Sequence, residues 1–156
     1  MDSVLAGIEA LQQAGAADDD WVLVHDVARP LLRPADVRRL LTELAHDPVG
    51  GLLANPVRDT MKRSDEGGRI TATVAREQLW HALTPQMFRL GLLARALRSA
   101  RADGVTVTDE AAAIERLGLQ PRLLSGARDN LKITFPDDLI LAEALLLAQR
   151  QAGVTT

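Results

Sequence analysis

The run Trp21-Val22-Leu23-Val24 stops abruptly at the polar cluster His25-Asp26-Val27-Ala28-Arg29-Pro30. Four consecutive apolar residues without alternation fit a strand covered on both faces of a parallel sheet, and the abrupt change marks its carboxyl end. Ligands of open α/β sheets bind just beyond such ends. An acid and an arginine three residues apart at that edge suit a metal contact and an anion contact. A loop-closing or capping Asp beside a solvated Arg accounts for the same pair equally well.

Outward from this strand the chain alternates. Asp2 and Ser3 can cap a first helix with Val4, Ile8 and Leu11 on one face, closed by Gly15 and Asp18-Asp19-Asp20. After the strand at 21–25, Pro34 suits the first turn of a second helix carrying Val37, Leu40, Leu41 and Leu44. Gly50-Gly51-Leu52-Leu53-Ala54 reads as a second strand ending at Asn55-Pro56. Residues 59–63 and 70–74 alternate with period two around Gly67-Gly68, which predicts a hairpin. A lone hairpin of this polarity is marginal, so it must lie on the parent domain or on a partner subunit.

Beyond 79–86 comes an arginine-rich helix with Leu90, Leu93 and Leu97, closed by Gly104. Thr108-Asp109-Glu110 opens another helix, its acids favourably placed in the first turn. Residues 119–124 read as a strand, and Pro121 within it favours a sheet edge. Leu131-Lys132-Ile133-Thr134 reads as a last brief strand before Pro136 starts a long helix through Leu139, Leu141, Leu145 and Leu147. The alternation predicts one α/β domain over residues 1–156, with a mostly parallel, doubly wound sheet and a protruding hairpin arm at 59–76.

Composition narrows the function classes. With 47% apolar residues the chain can bury a core, and a net charge of −3 gives nucleic acid no electrostatic purchase. Two Trp, two Phe and no Tyr offer no base-stacking surface. Without cysteine there is no disulfide, thiolate zinc site or thiol nucleophile. No apolar stretch approaches the roughly 18–20 residues of a membrane span, so the expectation is a cytoplasmic protein without a membrane partner. Of 18 basic residues only Lys62 and Lys132 are lysines, and both fall in polar motifs.

Four segments carry a resemblance: His25-Asp26-Val27-Ala28-Arg29-Pro30, Pro56-Val57-Arg58-Asp59-Thr60-Met61-Lys62, Leu79-Trp80-His81-Ala82-Leu83-Thr84-Pro85-Gln86, and Asp129-Asn130-Leu131-Lys132-Ile133-Thr134. In this order and spacing, with Asp2-Ser3-Val4 and Thr108-Asp109-Glu110-Ala111, the chain resembles the 2-C-methyl-D-erythritol 4-phosphate cytidylyltransferases of non-mevalonate isoprenoid biosynthesis. The resemblance is to the later two-thirds of the family pattern. The family's first strand and its Gly-rich loop, whose Arg and Lys grip the CTP phosphates, find no counterpart. The implied fold is that of the nucleotide-diphospho-sugar transferases, Rossmann-like and truncated at its N-terminal side. The 156-residue chain alone is expected to release no pyrophosphate from CTP.

The resemblance implies a reaction joining CTP and methylerythritol phosphate. Its nucleophile is an already ionised phosphate oxygen, so cations and Mg²⁺ do most of the work. Asp26 is the implied Mg²⁺ ligand, one carboxylate sufficing beside phosphate oxygens. Lys132 and Arg76 are the implied catalytic cations, although on the residues alone Lys132 also fits a lysine snorkelling from an edge strand. Arg29 is an implied phosphate contact, while His25 reads as structural. Thr60 and Arg76 bracket the hairpin, which in the family crosses a homodimer into the neighbouring site; on the residues alone an exposed loop fits as well. Thr84 and Thr108 match hydroxyl contacts to the sugar phosphate, although Thr108 alone reads as a helix cap. Asp2 and Ser3 match residues meeting the cytidine, with Ser3 equally a cap. At the strand-to-loop turn the contact is through backbone, so Val27 in place of the family's frequent Ala changes little and Ala28 stays among the substrate-binding residues. Two other readings stand beside this one: a non-catalytic fragment that dimerises through the hairpin, and a ribitol 5-phosphate cytidylyltransferase. The fit of 56–62 and 79–86 favours methylerythritol phosphate.

Overall fold

The computed structural model describes residues 2–154. Their elements run α1 (Asp2–Gln13), β1 (Trp21–Val24), α2 (Pro34–Glu43), β2 (Gly50–Pro56), β3 (Met61–Ser64), β4 (Ile70–Val74), β5 (Trp80–Arg89), α3 (Leu90–Ala102), α4 (Glu110–Glu115), β6 (Arg122–Ser125) and α5 (Pro136–Gln151). Four strands form one sheet in the order β1-β5-β2-β6, and β3 and β4 form a separate two-stranded sheet.

The α/β class holds, with helices on both faces, but the expected mostly parallel sheet is corrected to a mixed one. β2 and β6 pair in parallel, whereas β5 runs antiparallel to both β1 and β2. Periodicity assigns no element to 79–86, yet these residues open the ten-residue strand that fills the sheet centre. Their polar string, His81 through Gln86, hides a strand whose first residues are exposed and whose last are buried.

Alternation along the central strands builds a core on each face. Phe88 and Leu52 face α1, α3 and α4, where Leu5, Ile8, Leu93, Leu97 and Ile114 pack. Met87 and Leu53 face the other way, against Leu40 and Leu44 of α2 and Leu124 of β6. Burying a leucine of this kind contributes about 2 kcal/mol. Gly51 is required at the β2–β6 contact, since a Cβ there would sit on the Arg122 backbone carbonyl.

Several sequence expectations shift. β1 is half-buried rather than covered, because it lies at the sheet edge; Arg89 stacks over its Trp21 at 3.7 Å from the ring centroid. Leu11 and Leu41 are exposed, since the helix faces that meet the sheet are carried by Leu5 and Ile8, and by Leu40 and Leu44. The strand at 119–124 contracts to β6, which starts just past Pro121 and does sit at an edge. Residues 131–134 are not a strand. One bond, Ile133 N–H to the Ala28 carbonyl at 2.8 Å, holds them beside the loop after β1, and one bond makes no ladder. In α5 it is Ala142 and Gln149 that are buried, while Leu139, Leu141 and Leu147 are exposed. The hairpin forms as expected, with Met61 opposite Val74 and every β3 residue exposed.

Candidate active site

A cavity of about 600 Å³ opens where β1 ends, walled by Ser3 of α1, the loop after β1, the first half of β5, the turn before α4, and Lys132. Among the sequence-nominated residues, Ser3, Asp26, Arg29, Thr84, Thr108 and Lys132 line it together. The pairing geometry explains why. β5 runs antiparallel past β1 with Gln86 opposite Val24, so Thr84 comes level with Asp26 just beyond the last paired residue. On its other side β5 carries an irregularity, with Leu83, Thr84 and Pro85 set against the single residue Leu53. Bulges of this kind re-aim side chains beside functional sites.

Asp26 and Lys132 are 106 positions apart in sequence and form an ion pair, carboxylate Oδ2 to ammonium Nζ, at 2.8 Å. The hydrogen bond from Lys132 holds the Asp26 carboxyl below the ordinary carboxylate range, against a smaller opposing effect of burial. Its other oxygen accepts the Ala28 amide at 3.3 Å. Half of the Lys132 side chain remains exposed, so the ammonium can also meet an incoming anion. Arg29 turns inward: its Nη1 donates to the Asn130 carbonyl at 2.8 Å, and burial depresses its basicity.

The loop carrying Lys132 is anchored from several directions. Asn130 is buried, and its Nδ2 donates to the Thr84 carbonyl at 2.7 Å. Asp129 takes a forked contact from Arg33, at 3.0 and 2.5 Å, and a further bond from Gln149 of α5 at 2.9 Å. Burial raises the Asp129 carboxyl, but these donors together leave it lowered. Asp36 of α2 receives the Ala127 amide at 2.8 Å. Lys132 is thus held on a loop preorganised by its neighbours.

Three residues of the site escaped the sequence reading. Gln86, 1% exposed, accepts the Ala111 amide at 2.8 Å and donates to Asp109 at 3.0 Å, docking the Thr108-Asp109-Glu110 turn on β5. Glu110 lines the cavity as a half-buried carboxyl whose ionisation burial disfavours. Asn130 is the third. All three lie within the quoted motifs, and only Gln86, a polar amide directly before Met87-Phe88, stands against an apolar run; Glu110 and Asn130 sit among other polar residues and carry no local signal of their own. Asp2, Thr60 and Arg76 do not line the cavity, and Ala28 contributes only backbone, donating to Asp26 and accepting from Ile133. Thr60 and Arg76 stand exposed at the root of the hairpin.

Residues 1–148 match the sequence model of the family described as 2-C-methyl-D-erythritol 4-phosphate cytidylyltransferase. The chain belongs to this family. A cytidylyltransferase of that name from Ectopseudomonas mendocina (strain ymp) is 61% identical over 151 residues, covering 96% of this chain and 64% of the relative. Another, from Pseudomonas putida KT2440, is 59% identical over 97% of this chain and 63% of its own length. A crystal structure of 4-diphosphocytidyl-2C-methyl-D-erythritol synthase superposes with a TM-score of 0.83 at 44% identity, covering 92% of this chain and 64% of that one. The Francisella tularensis cytidylyltransferase gives 0.82 at 33% identity, covering 90% and 65%. The chain thus spans less than two thirds of the length of these relatives.

Asp26 is the carboxylate beside Lys132, while Asp109 and Glu110 also line the cavity wall. No three His, Asp or Glu side chains cluster to hold an ion among the described residues. One carboxylate fits Mg²⁺, which keeps waters and takes its remaining oxygens from substrate phosphates.

Proposed function

We propose that this chain supplies the methylerythritol phosphate contacts and part of the cytidine contacts of a cytidylyltransferase site joining CTP and methylerythritol phosphate. A phosphate oxygen of methylerythritol 4-phosphate attacks the α-phosphorus of CTP. The new P–O bond forms as the bond from that phosphorus to the β-phosphate bridging oxygen breaks, and pyrophosphate leaves with the electron pair. No proton abstraction is needed, because the nucleophile is already anionic. The observation that carries the reading is the Asp26–Lys132 pair at 2.8 Å on a cavity whose wall also holds Ser3, Arg29 and Thr108.

In this reading Lys132 meets the phosphoryl oxygens, and its ammonium offsets the charge that builds on them. Asp26 would hold Mg²⁺, which when bound supplies further charge neutralisation at the phosphates. Ser3 and Thr108 offer hydroxyls to the sugar and nucleotide. The hairpin reaches across a homodimer, so that Thr60 and Arg76 of one protomer complete the other's site. What supports this is an arm with every β3 residue exposed and a lone two-stranded sheet needing a surface to lie on. A cytoplasmic setting is part of this reading; what supports it is that no helix among the described residues is long and apolar enough to cross a membrane.

The decisive experiment fuses this chain to the portion of the Ectopseudomonas relative that its 151-residue match leaves out. Pyrophosphate release is then followed with CTP, Mg²⁺ and either methylerythritol phosphate or ribitol 5-phosphate. The expected result is turnover with methylerythritol phosphate by the fusion and none by the 156-residue chain alone. A fusion that folds but ignores methylerythritol phosphate refutes the reading.

A further inference from the structure

We propose that Thr84, with His25 behind it, is a positioning residue that sets the register of the Asp26–Lys132 pair, and that its hydroxyl does not donate to a substrate phosphate. The inference rests on the reading that this pair is the working pair of the site. It follows from counting protons.

A threonine hydroxyl has one hydrogen to give and two lone pairs to receive. Thr84 Oγ1 lies 3.0 Å from the Asp26 backbone N, whose N–H donates to it, and 2.9 Å from His25 Nδ1. The other ring nitrogen, His25 Nε2, lies 2.9 Å from the Arg29 carbonyl oxygen. A carbonyl only accepts, so Nε2 carries the hydrogen. In the neutral imidazole Nδ1 is therefore bare, and it accepts the hydroxyl hydrogen of Thr84. That hydrogen is committed. The remaining lone pair repels a phosphate oxygen, which needs donors.

The same residue holds the other half of the pair by its main chain, since the Thr84 carbonyl accepts from Asn130 Nδ2 at 2.7 Å. The hydroxyl thus pins the end of β1 that carries Asp26, and the carbonyl pins the loop that carries Lys132. Both are referenced to one residue on β5, whose own place is set by its pairing with β1 and β2. His25 closes the loop after β1 through the Arg29 carbonyl and keeps the Thr84 hydroxyl turned toward Asp26. Positioning of this precision is what phosphoryl chemistry draws on.

The test begins with nitrogen NMR of the histidine rings in the 156-residue chain at a pH where imidazole is neutral. The expected spectrum shows His25 with Nε2 protonated and Nδ1 bare and hydrogen-bonded. In Thr84→Val the Nδ1 signal moves to the position of a free acceptor, and the Asp26 amide exchanges with solvent about tenfold faster. Thr84→Ser restores both. A wild-type His25 protonated at Nδ1, or an Asp26 amide whose exchange is untouched by Thr84→Val, overturns the proposal. The wild-type spectrum decides the matter even where the valine variant fails to fold.

A second arm uses the fusion protein described above. Thr84→Val is expected to lower kcat at least tenfold while KM for methylerythritol phosphate stays within twofold. A raised KM at constant kcat would make the hydroxyl a substrate contact and overturn the assignment. An inactive wild-type fusion would refute the proposed reaction instead, leaving the NMR result to stand or fall separately.

Discussion

Gln86 offers a test of how the turn before α4 is held against the site. Its amide is 1% exposed, with the oxygen on the Ala111 N–H at 2.8 Å and the nitrogen on Asp109 Oδ2 at 3.0 Å. Gln86→Glu keeps the shape and the acceptor but sets a second carboxyl about 3 Å from Asp109. Two carboxylates that close resist ionising together, so the shared proton is released at a higher pH than from a lone carboxyl. Each unit by which its pKa rises above about 4.3, the unfolded glutamate value, costs about 1.4 kcal/mol at pH 7, while the loss at pH 4 is at most about 0.2 kcal/mol. The sign follows from a folded pKa raised on an acid: destabilisation appears as pH climbs above the unfolded value. Gln86→Leu, by contrast, strands the buried Ala111 amide and costs about 1–3 kcal/mol at both pH values. Urea unfolding of both variants beside wild type at pH 4 and pH 7 separates the cases. Equal losses for Gln86→Glu at the two pH values would refute the argument that Asp109 and Gln86 share one hydrogen.

Other outcomes follow from the same geometry. Asp129 and Asp26 are held below their ordinary range, so their contribution is complete above about pH 4 and is lost as pH falls through the folded values. Arg33→Gln, which removes the fork on Asp129, should flatten the acid limb of a Tm-versus-pH curve; an unchanged limb counts against that pair as the cause. In the fusion protein Asp26→Asn, Lys132→Ala and Arg76→Ala should each cut turnover tens-fold or more, matching about 3 kcal/mol of lost charge stabilisation. An Asp26→Asn enzyme with unchanged rate and unchanged Mg²⁺ dependence would remove Asp26 from the site. Gly51→Ala should destabilise by several kcal/mol, because the added Cβ meets the Arg122 carbonyl within the parallel β2–β6 pair and a main-chain atom cannot rotate away; a loss below about 1 kcal/mol in urea unfolding would show that β6 can shift at little cost.

Much of this molecule was legible in its linear order because local chemistry marks local structure. The apolar run 21–24 ended where β1 ends, Pro34 opened α2, and Gly67-Gly68 turned the hairpin. The strings around Asp26, Thr84 and Lys132 were recognisable as one family's, and all three residues line one cavity. What stayed hidden depended on neighbours distant in sequence. Residues 80–89 became the central strand because β1 and β2 flank them, not because their polar first half favours extension. The leucines mark the course of α5, yet Leu139, Leu141 and Leu147 are exposed, and the polar Gln149 is buried with Ala142 because it serves Asp129 and the Leu31 carbonyl. The direction of the Thr84 hydroxyl follows from where His25 and the Asp26 amide lie, across 59 and 58 positions of chain. Composition and periodicity report what each segment can do alone; a hydrogen's destination is settled by whichever acceptor the folded chain brings within 3 Å.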